Sequence, residues 1–506
     1  MTQHSAQLGP IDEYNQSLID NVHPSNWSQP EPSGLYNLVV IGGGTAGLVS
    51  AAGAAGLGAK VALVERQFLG GDCLNYGCVP SKAVIRAARV AQTVRMASRY
   101  GVRGVDDISV DFAQTMERMR RLRAEIGEHD SAKRLRDFGV DVFLGDGRFD
   151  SPSSLNVDGR TLKFSRAIIA TGARAAHPTI PGLEEPGFLT NETLFSLTEL
   201  PRRLCVIGAG PVGCEMAQAF RRLGSQICLI TRGAGLLPRE DRDAASILEV
   251  RFQQEGIRVV ANATITSVEM THGSKTVVLE TPSGRLRIES DQILVAVGRT
   301  PNTETLDLGK GGIAYDENGV TVDDHLRTTN PRVYAAGDVC SQFKFTHAAD
   351  ALARLALRNA LFFGRGKASS LVIPWCTFTE PEVAHVGMTS EQATKMGAGV
   401  ATYNVSLTDV DRAIVDSETE GFARVHTDAF SGRILGATLV SPHAGETISE
   451  LVLAMVRRIP LTALSSTIHP YPTQADALKK LGDLSMFARV KPWIRNLLTR
   501  YFRVRR

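Results

Sequence analysis

Two cysteines, Cys73 and Cys78, stand in the stretch "GGDCLNYGCVPSK" from Gly70 to Lys82 with four residues between them. A close thiol pair has three chemical uses: a metal site, a structural bridge, or a dithiol that carries electrons. Four intervening residues do not match the usual zinc spacings, and no second cysteine or histidine pair lies nearby, so no resident metal is expected. The chain has seven cysteines. An odd, scattered set argues against a secreted disulfide framework and for a reducing, cytoplasmic setting. In a straight helix, residues five apart point about 140° away from each other, with Cα atoms roughly 8 Å apart, beyond disulfide reach. The segment must therefore bend if it is ever bridged, and Gly77 is the place to bend. Close to a helix start, a thiolate is stabilised by the helix dipole. Lys82 adds positive charge one turn later.

Such a pair needs a source of electrons, and two glycine fingerprints point to one. Gly42, Gly44 and Gly47 follow the apolar strand "NLVVI" in the G-x-G-x-x-G pattern. That spacing permits a tight turn, lets backbone approach a pyrophosphate, and packs helix against strand. The helix start offers free N–H groups to phosphate. Glu65 ends the next strand, where an acid bonds ribose hydroxyls. Gly208, Gly210 and Gly213 repeat the pattern after "RLCVI". Here the acid is missing: Thr231 stands at its position and Arg232 follows. An arginine pairs with a 2′-phosphate that a carboxylate would repel. NADPH is therefore the expected nicotinamide cofactor, with NADH the alternative.

Together these motifs resemble the class I pyridine nucleotide–disulfide oxidoreductases, which include glutathione reductase, lipoamide dehydrogenase and mercuric reductase. The resemblance covers about residues 36–483 and rests also on "ATG" (Ala170 to Gly172, with Thr171), "VGRTPN" (Val297 to Asn302, with Gly298) and "AAGDV" (Ala335 to Val339). It implies FAD at the first fingerprint. It also implies that Cys78 lies beside the flavin and Cys73 exchanges with the acceptor. Lys82 would sit near the flavin N5, paired with Glu215. Asp338 would bond the ribityl chain, and Gly147 would lie near the adenine. The implied fold is α/β: two Rossmann-like domains, for FAD and NADPH, and a C-terminal α+β dimerisation domain of a homodimer with a shared active site. The expected boundaries are a flexible arm over 1–35, an FAD domain over 36–192 and 304–370, and an NAD(P) domain over 193–303. An interface domain over 371–483 and a basic amphipathic tail over 484–506 follow.

The sequence departs from the family at two places. Its disulfide reductases carry a His–Glu pair in "H-P-T-x-x-E", but "IHPYPTQADA" puts Tyr471 at the histidine position and Asp476 at the glutamate position. His469 stands two residues earlier. Tyrosine is a poor base at neutral pH, and a tyrosine there resembles mercuric reductases. Those enzymes also carry a C-terminal cysteine pair, and the tail "LSMFARVKPWIRNLLTRYFRVRR" has none. The expected acceptor is a soft metal ion, a small disulfide or a quinone. The alternatives are a lipoamide dehydrogenase-type or glutathione reductase-type enzyme, or a membrane-docked redox sensor.

The remaining features define the surroundings. Net charge is +3 over 506 residues, so the whole chain is no polycation and nucleic acid is not an expected partner. From Arg489 onward come seven basic residues and no acid. Trp493, Ile494, Leu497, Leu498 and Tyr501 recur there at helical spacing. Such a helix fits a peripheral membrane surface, a dimer contact or a partner protein. Cys205, Cys214, Cys228 and Cys376 are expected to pack in the core, and Cys340 to lie passively near FAD. His347 in "FTHAAD" is expected to approach the flavin or cap a helix.

Overall fold

The computed structural model describes residues 8–104, 108–271, 273–490 and 492–505. The first seven residues of the expected arm, and Lys491 and Arg506 of the tail, lie outside the described residues. The chain divides into two compact units. One runs up to Arg232 and resumes over Asn262–Leu371; the other comprises Gly233–Ala261 and everything from Val372 onward.

In the first unit, the apolar run Leu35–Ile41 forms the central strand of a seven-stranded sheet. It pairs in parallel with Val61–Glu65 on one side and Arg160–Ile169 on the other. Val140–Leu144 extends the sheet in parallel beyond Val61–Glu65. Val61–Glu65 is buried along its whole length, as a strand covered on both faces must be. The helix Thr45–Gly56 leaves the first fingerprint, and its small residues allow close packing against the helix Thr346–Leu361. A Cβ on Gly53 would lie 3.1 Å from Leu357 Cδ2.

The second fingerprint has its own parallel strands in the same unit. Arg203–Ile207 lies between Gln226–Ile230 and Gln292–Val295. A three-stranded antiparallel sheet, Thr264–Thr271, Ser274–Thr281 and Gly284–Ser290, is attached to this segment. Cys205 and Cys214 are buried, as apolar packing requires; Cys228 is only half-buried.

The other unit is built on a five-stranded antiparallel sheet. Its order is Pro374–Thr377, Glu382–Gly387, Ile434–Ser441, Phe422–Asp428 and Val400–Ser406. The helices Ala444–Val456 and Asp476–Ala488 bury Ile448, Leu451, Leu478 and Leu481 in its core. Gly233–Ala261 groups here, not with the second fingerprint as expected from its position in the chain. The cause is polar: Asp241 accepts from the Ser390 hydroxyl at 2.6 Å, and Arg424 pairs with Asp243. Glu240 accepts from Trp375 Nε1 at 2.6 Å.

The expected flexible arm is corrected by the structure. Residues Glu13–Val22 form a helix, capped by Asp12 accepting from the Asn15 N–H at 2.8 Å. Leu18 and Val22 are fully buried, and the helix packs against Phe112–Gly127. Arg123 of that second helix is buried and donates to Asn15 Oδ1 and to the Asn75 carbonyl, both at 2.6 Å. The N-terminal segment is thereby fastened beneath the cysteine-bearing loop. The expected tail boundary at Leu484 falls inside the helix Asp476–Ala488, and a separate helix follows over Pro492–Val504.

Candidate active site

Gly71–Asn75 forms one helical turn carrying Cys73, and the chain bends through Tyr76 and Gly77. Cys78 then opens the long helix Cys78–Arg95. The bend falls at the glycine, where a side chain would meet Asp72: a Cβ there would lie 2.8 Å from Asp72 Oδ2. Cys73 is half-buried, Cys78 is exposed, and both are free thiols. The Cys78 thiol lies 3.1 Å from Thr346 Oγ1, at the start of the helix Thr346–Leu361.

The two sulfurs are electrostatically unequal. A hydrogen bond from Cys73 draws the Cys78 pKa down to about 6. The Thr346 hydroxyl and the Lys82 charge act in the same direction, against burial. The same hydrogen bond, with burial, pushes Cys73 far up. One thiolate and one thiol share a proton at neutral pH, with the charge held on Cys78.

Lys82, one turn along, pairs with Glu215 at 2.8 Å. Glu215 is buried on the helix Pro211–Leu223, which leaves the second fingerprint. An ion pair therefore ties the thiol helix to the nucleotide helix across 133 residues of sequence.

Arginine 299 is a contact that the sequence reading missed. Arg299 stands between Asp72, at 3.1 Å, and Asp338, at 3.6 Å. Asp338 is half-buried, and burial raises its carboxyl pKa. Asp72 also accepts from Asn191 Nδ2 at 2.8 Å. In "FTHAAD" it is Thr346, and not the neighbouring His347, that contacts the thiol. His347 itself is exposed and stacks on Phe345, which holds the N-cap position.

The first fingerprint has the shape that a dinucleotide needs. A Cβ on Gly47 would sit 1.7 Å from the Gly42 carbonyl oxygen, so only glycine allows this helix to meet its strand. Gly44 holds the N-cap without a side chain, leaving the first N–H groups of the helix Thr45–Gly56 uncapped by any side chain. Glu65 is buried at the strand end and accepts from the Gly43 N–H at 2.5 Å and the Gln67 N–H at 2.6 Å. Burial raises its pKa. Thr171 and Gly172 follow the strand Arg160–Ile169, and Thr171 donates to the Asn302 carbonyl at 2.7 Å. Gly147 begins the strand Gly147–Ser151, packed against Val64 and Leu155. These groups fit a dinucleotide laid across the carboxyl ends of the parallel strands, its phosphates on the helix start.

The second fingerprint repeats the construction. A Cβ on Gly213 would lie 1.9 Å from the Gly208 carbonyl oxygen. Gly210 is the side-chain-free N-cap. Thr231 and the exposed Arg232 follow the neighbouring strand. Gly298 has φ +132°, a conformation reserved for glycine.

In the C-terminal unit, Tyr471 is 73% exposed. Its hydroxyl donates to Asp411 Oδ2 at 2.8 Å, which raises its pKa. His469 does not pair with Asp476. Its Nε2 lies 3.1 Å from Glu450 on the helix Ala444–Val456. Asp476 pairs instead with Lys480, one helical turn on, at 3.0 Å. A histidine–carboxylate pair is thus present, with a glutamate that the sequence motif does not contain.

Comparison with known proteins agrees with this construction. The family described as pyridine nucleotide-disulphide oxidoreductase matches residues 36–353, and its dimerisation domain matches residues 373–481. A mercuric reductase of Bacillus cereus is 36% identical over 445 residues, 88% of this chain and 70% of its own length. A dihydrolipoyl dehydrogenase of Chlamydia muridarum is 33% identical over 447 residues, covering 87% of this chain and 95% of its own. Among solved structures, the HOCl-induced flavoprotein disulfide reductase RclA of Escherichia coli superposes with a TM-score of 0.80 at 28% identity, covering 89% of this chain and all of that one. Its Cu(II) complex gives 0.79. The chain therefore belongs to the pyridine nucleotide-disulphide oxidoreductase family, as an FAD-type flavin enzyme with a C-terminal dimerisation domain.

Proposed function

We propose that the protein uses NADPH to reduce the Cys73–Cys78 disulfide and passes the electrons to a soft metal ion such as Hg(II) or Cu(II). The observation that carries this reading is the polarised thiol pair. Cys73, Thr346 and Lys82 all lower the Cys78 pKa, and Cys73, on the preceding helical turn, is the partner that would exchange with the acceptor. Bound FAD would supply the two-electron relay between nicotinamide and disulfide. Gly42, Gly44, Gly47, Glu65, Thr171, Gly172, Gly147 and Asp338 are the groups that would hold it.

Around that relay the chain's own residues do the electrostatic work. Lys82 presents a positive charge beside Cys78, and Glu215 pairs with it at 2.8 Å. Arg232 would pair with the 2′-phosphate of NADPH, at a strand end with no carboxylate to favour NADH.

The soft metal is supported by chemistry and by kinship. Thiolates favour soft ions, and the similar proteins include a mercuric reductase and a disulfide reductase solved as its Cu(II) complex. Tyr471, with its hydroxyl donated to Asp411, serves as a donor rather than a base. In a homodimer it would reach the thiols of the other subunit. A second reading, disulfide reduction of the dihydrolipoyl type, is favoured by the His469–Glu450 pair, which suits proton transfer to a thiol.

The test is steady-state oxidation of NADPH by the flavin-loaded protein with Hg(II), Cu(II), lipoamide and glutathione disulfide in turn. Metal-dependent turnover that disappears in Cys78→Ser supports the proposal. Fast lipoamide turnover, abolished in His469→Ala, would install the second reading in its place.

A further inference from the structure

We propose that the helix Pro492–Val504 docks the protein on an anionic lipid bilayer. On a helix, residues three and four apart share a face. Trp493, Leu497, Tyr501 and Val504 form one such line, and Ile494 and Leu498 lie beside it. Phe502 completes an apolar arc of about half the circumference. The polar arc holds Arg495, Asn496, Thr499, Arg500 and Arg503. All described side chains of these two arcs except Ile494 are exposed, Val504 by 87% and Trp493 by 63%.

The placement of charge selects the occupant. Arg495 adjoins the Phe502 edge of the apolar arc and Arg500 adjoins the Trp493 edge. Cations bordering both edges let the guanidinium groups reach lipid phosphates while the apolar arc enters the acyl boundary. No acid interrupts the helix. Trp493 and Tyr501 are amphipathic rings suited to the headgroup level. Arg505 lies 5.3 Å from the Tyr501 ring centroid, keeping its charge at that level too. Two copies of this helix placed face to face would set arginine against arginine. The helix lies on the membrane and does not cross it: among the described residues no helix is long and apolar enough to span one.

The experiment uses the full-length flavin-loaded protein and two sets of vesicles, phosphatidylcholine alone and phosphatidylcholine mixed with phosphatidylglycerol. Flotation is measured at physiological salt, with tryptophan emission as a second readout. The expected result is binding to the mixed vesicles only, with a blue shift that Trp493→Phe removes. The triple variant Arg495→Glu, Arg500→Glu, Arg503→Glu should bind roughly 100-fold more weakly. Its NADPH turnover with soluble acceptors should be unchanged. Equal binding to both vesicle types, or none to the mixed vesicles, overturns the proposal. So does conversion of a dimer to monomers by Leu497→Glu in sedimentation without lipid, which would assign the face to a second copy.

Discussion

Replacing Cys73 with alanine isolates the hydrogen bond that polarises the thiol pair. That bond is the largest influence lowering the Cys78 pKa, which stands at about 6 against an ordinary 9.0. A hydrogen bond to a charged group contributes ~1.5–3 kcal/mol, and one pH unit corresponds to about 1.4 kcal/mol. The Thr346 hydroxyl and the Lys82 charge still act on Cys78 in the variant, so the lower end of that range applies. The Cys78 midpoint should therefore rise by about one unit in Cys73→Ala, to roughly 7. At pH 7 the thiolate fraction then falls from about nine-tenths to about one-half. The assay is the rate of iodoacetamide alkylation at Cys78, followed by peptide mass mapping of phosphine-reduced protein between pH 4.5 and 9. Thr346→Val, which keeps both cysteines, should move the midpoint in the same direction by less. A midpoint that stays near 6 in both variants would refute the hydrogen-bond account and leave Lys82 as the source.

Further outcomes follow from other parts of the structure. Gly47→Ala places a methyl group 1.7 Å from the Gly42 carbonyl oxygen; the purified protein should carry little flavin, read from its absorbance ratio. Arg232→Ala should lower kcat/KM for NADPH about tenfold or more while sparing NADH, in keeping with a lost charge-assisted contact; equal loss for both cofactors would reject the 2′-phosphate role. Asn15→Ala leaves the buried Arg123 short of an acceptor and should cost ~1–3 kcal/mol in denaturant unfolding. Glu240 has its pKa raised from 4.5 to about 7, chiefly by burial. The folded form therefore binds its proton more tightly, and this group's stabilisation is complete below pH 4.5 and declines as pH rises through 7. The loss is about 3 kcal/mol. Glu240→Gln should flatten that part of the stability profile, measured by denaturant titration at pH 5 and pH 8.

The features legible in the sequence were those written locally. Each glycine fingerprint places its turn, its helix start and its packing glycine within six residues, so the geometry follows from spacing alone. The bend at Gly77 was legible for the same reason. Pairings across the fold needed other information. Lys82 and Glu215 were matched through family resemblance, and nothing in either local segment identifies the other. Arg299 and Thr346 were unmarked because their importance lies in Asp72, Asp338 and Cys78, which are distant in sequence. The helix Glu13–Val22 was read as a loose arm because a short polar segment has little helical stability alone. Burying Leu18 and Val22 against Phe112–Gly127 supplies the stability, and that surface is encoded a hundred residues later. Glu450 is not legible in the motif, which runs downstream of His469, because the carboxylate arrives from the preceding helix Ala444–Val456.

The meeting of Cys78 with Thr346 also sets an order of events during synthesis. A nascent chain folds from its N-terminus, and the two thiols are made well over 200 residues before Thr346. The hydroxyl that completes the Cys78 environment is residue 346 of 506. The helix it begins is also the one that packs against the first fingerprint's helix. Until residue 346 has been made, Cys78 lacks that partner, and the helix of the first fingerprint lacks the neighbour it packs against. A thiol-capping agent that acts before residue 346 is made therefore meets Cys78 without the hydroxyl that completes its surroundings.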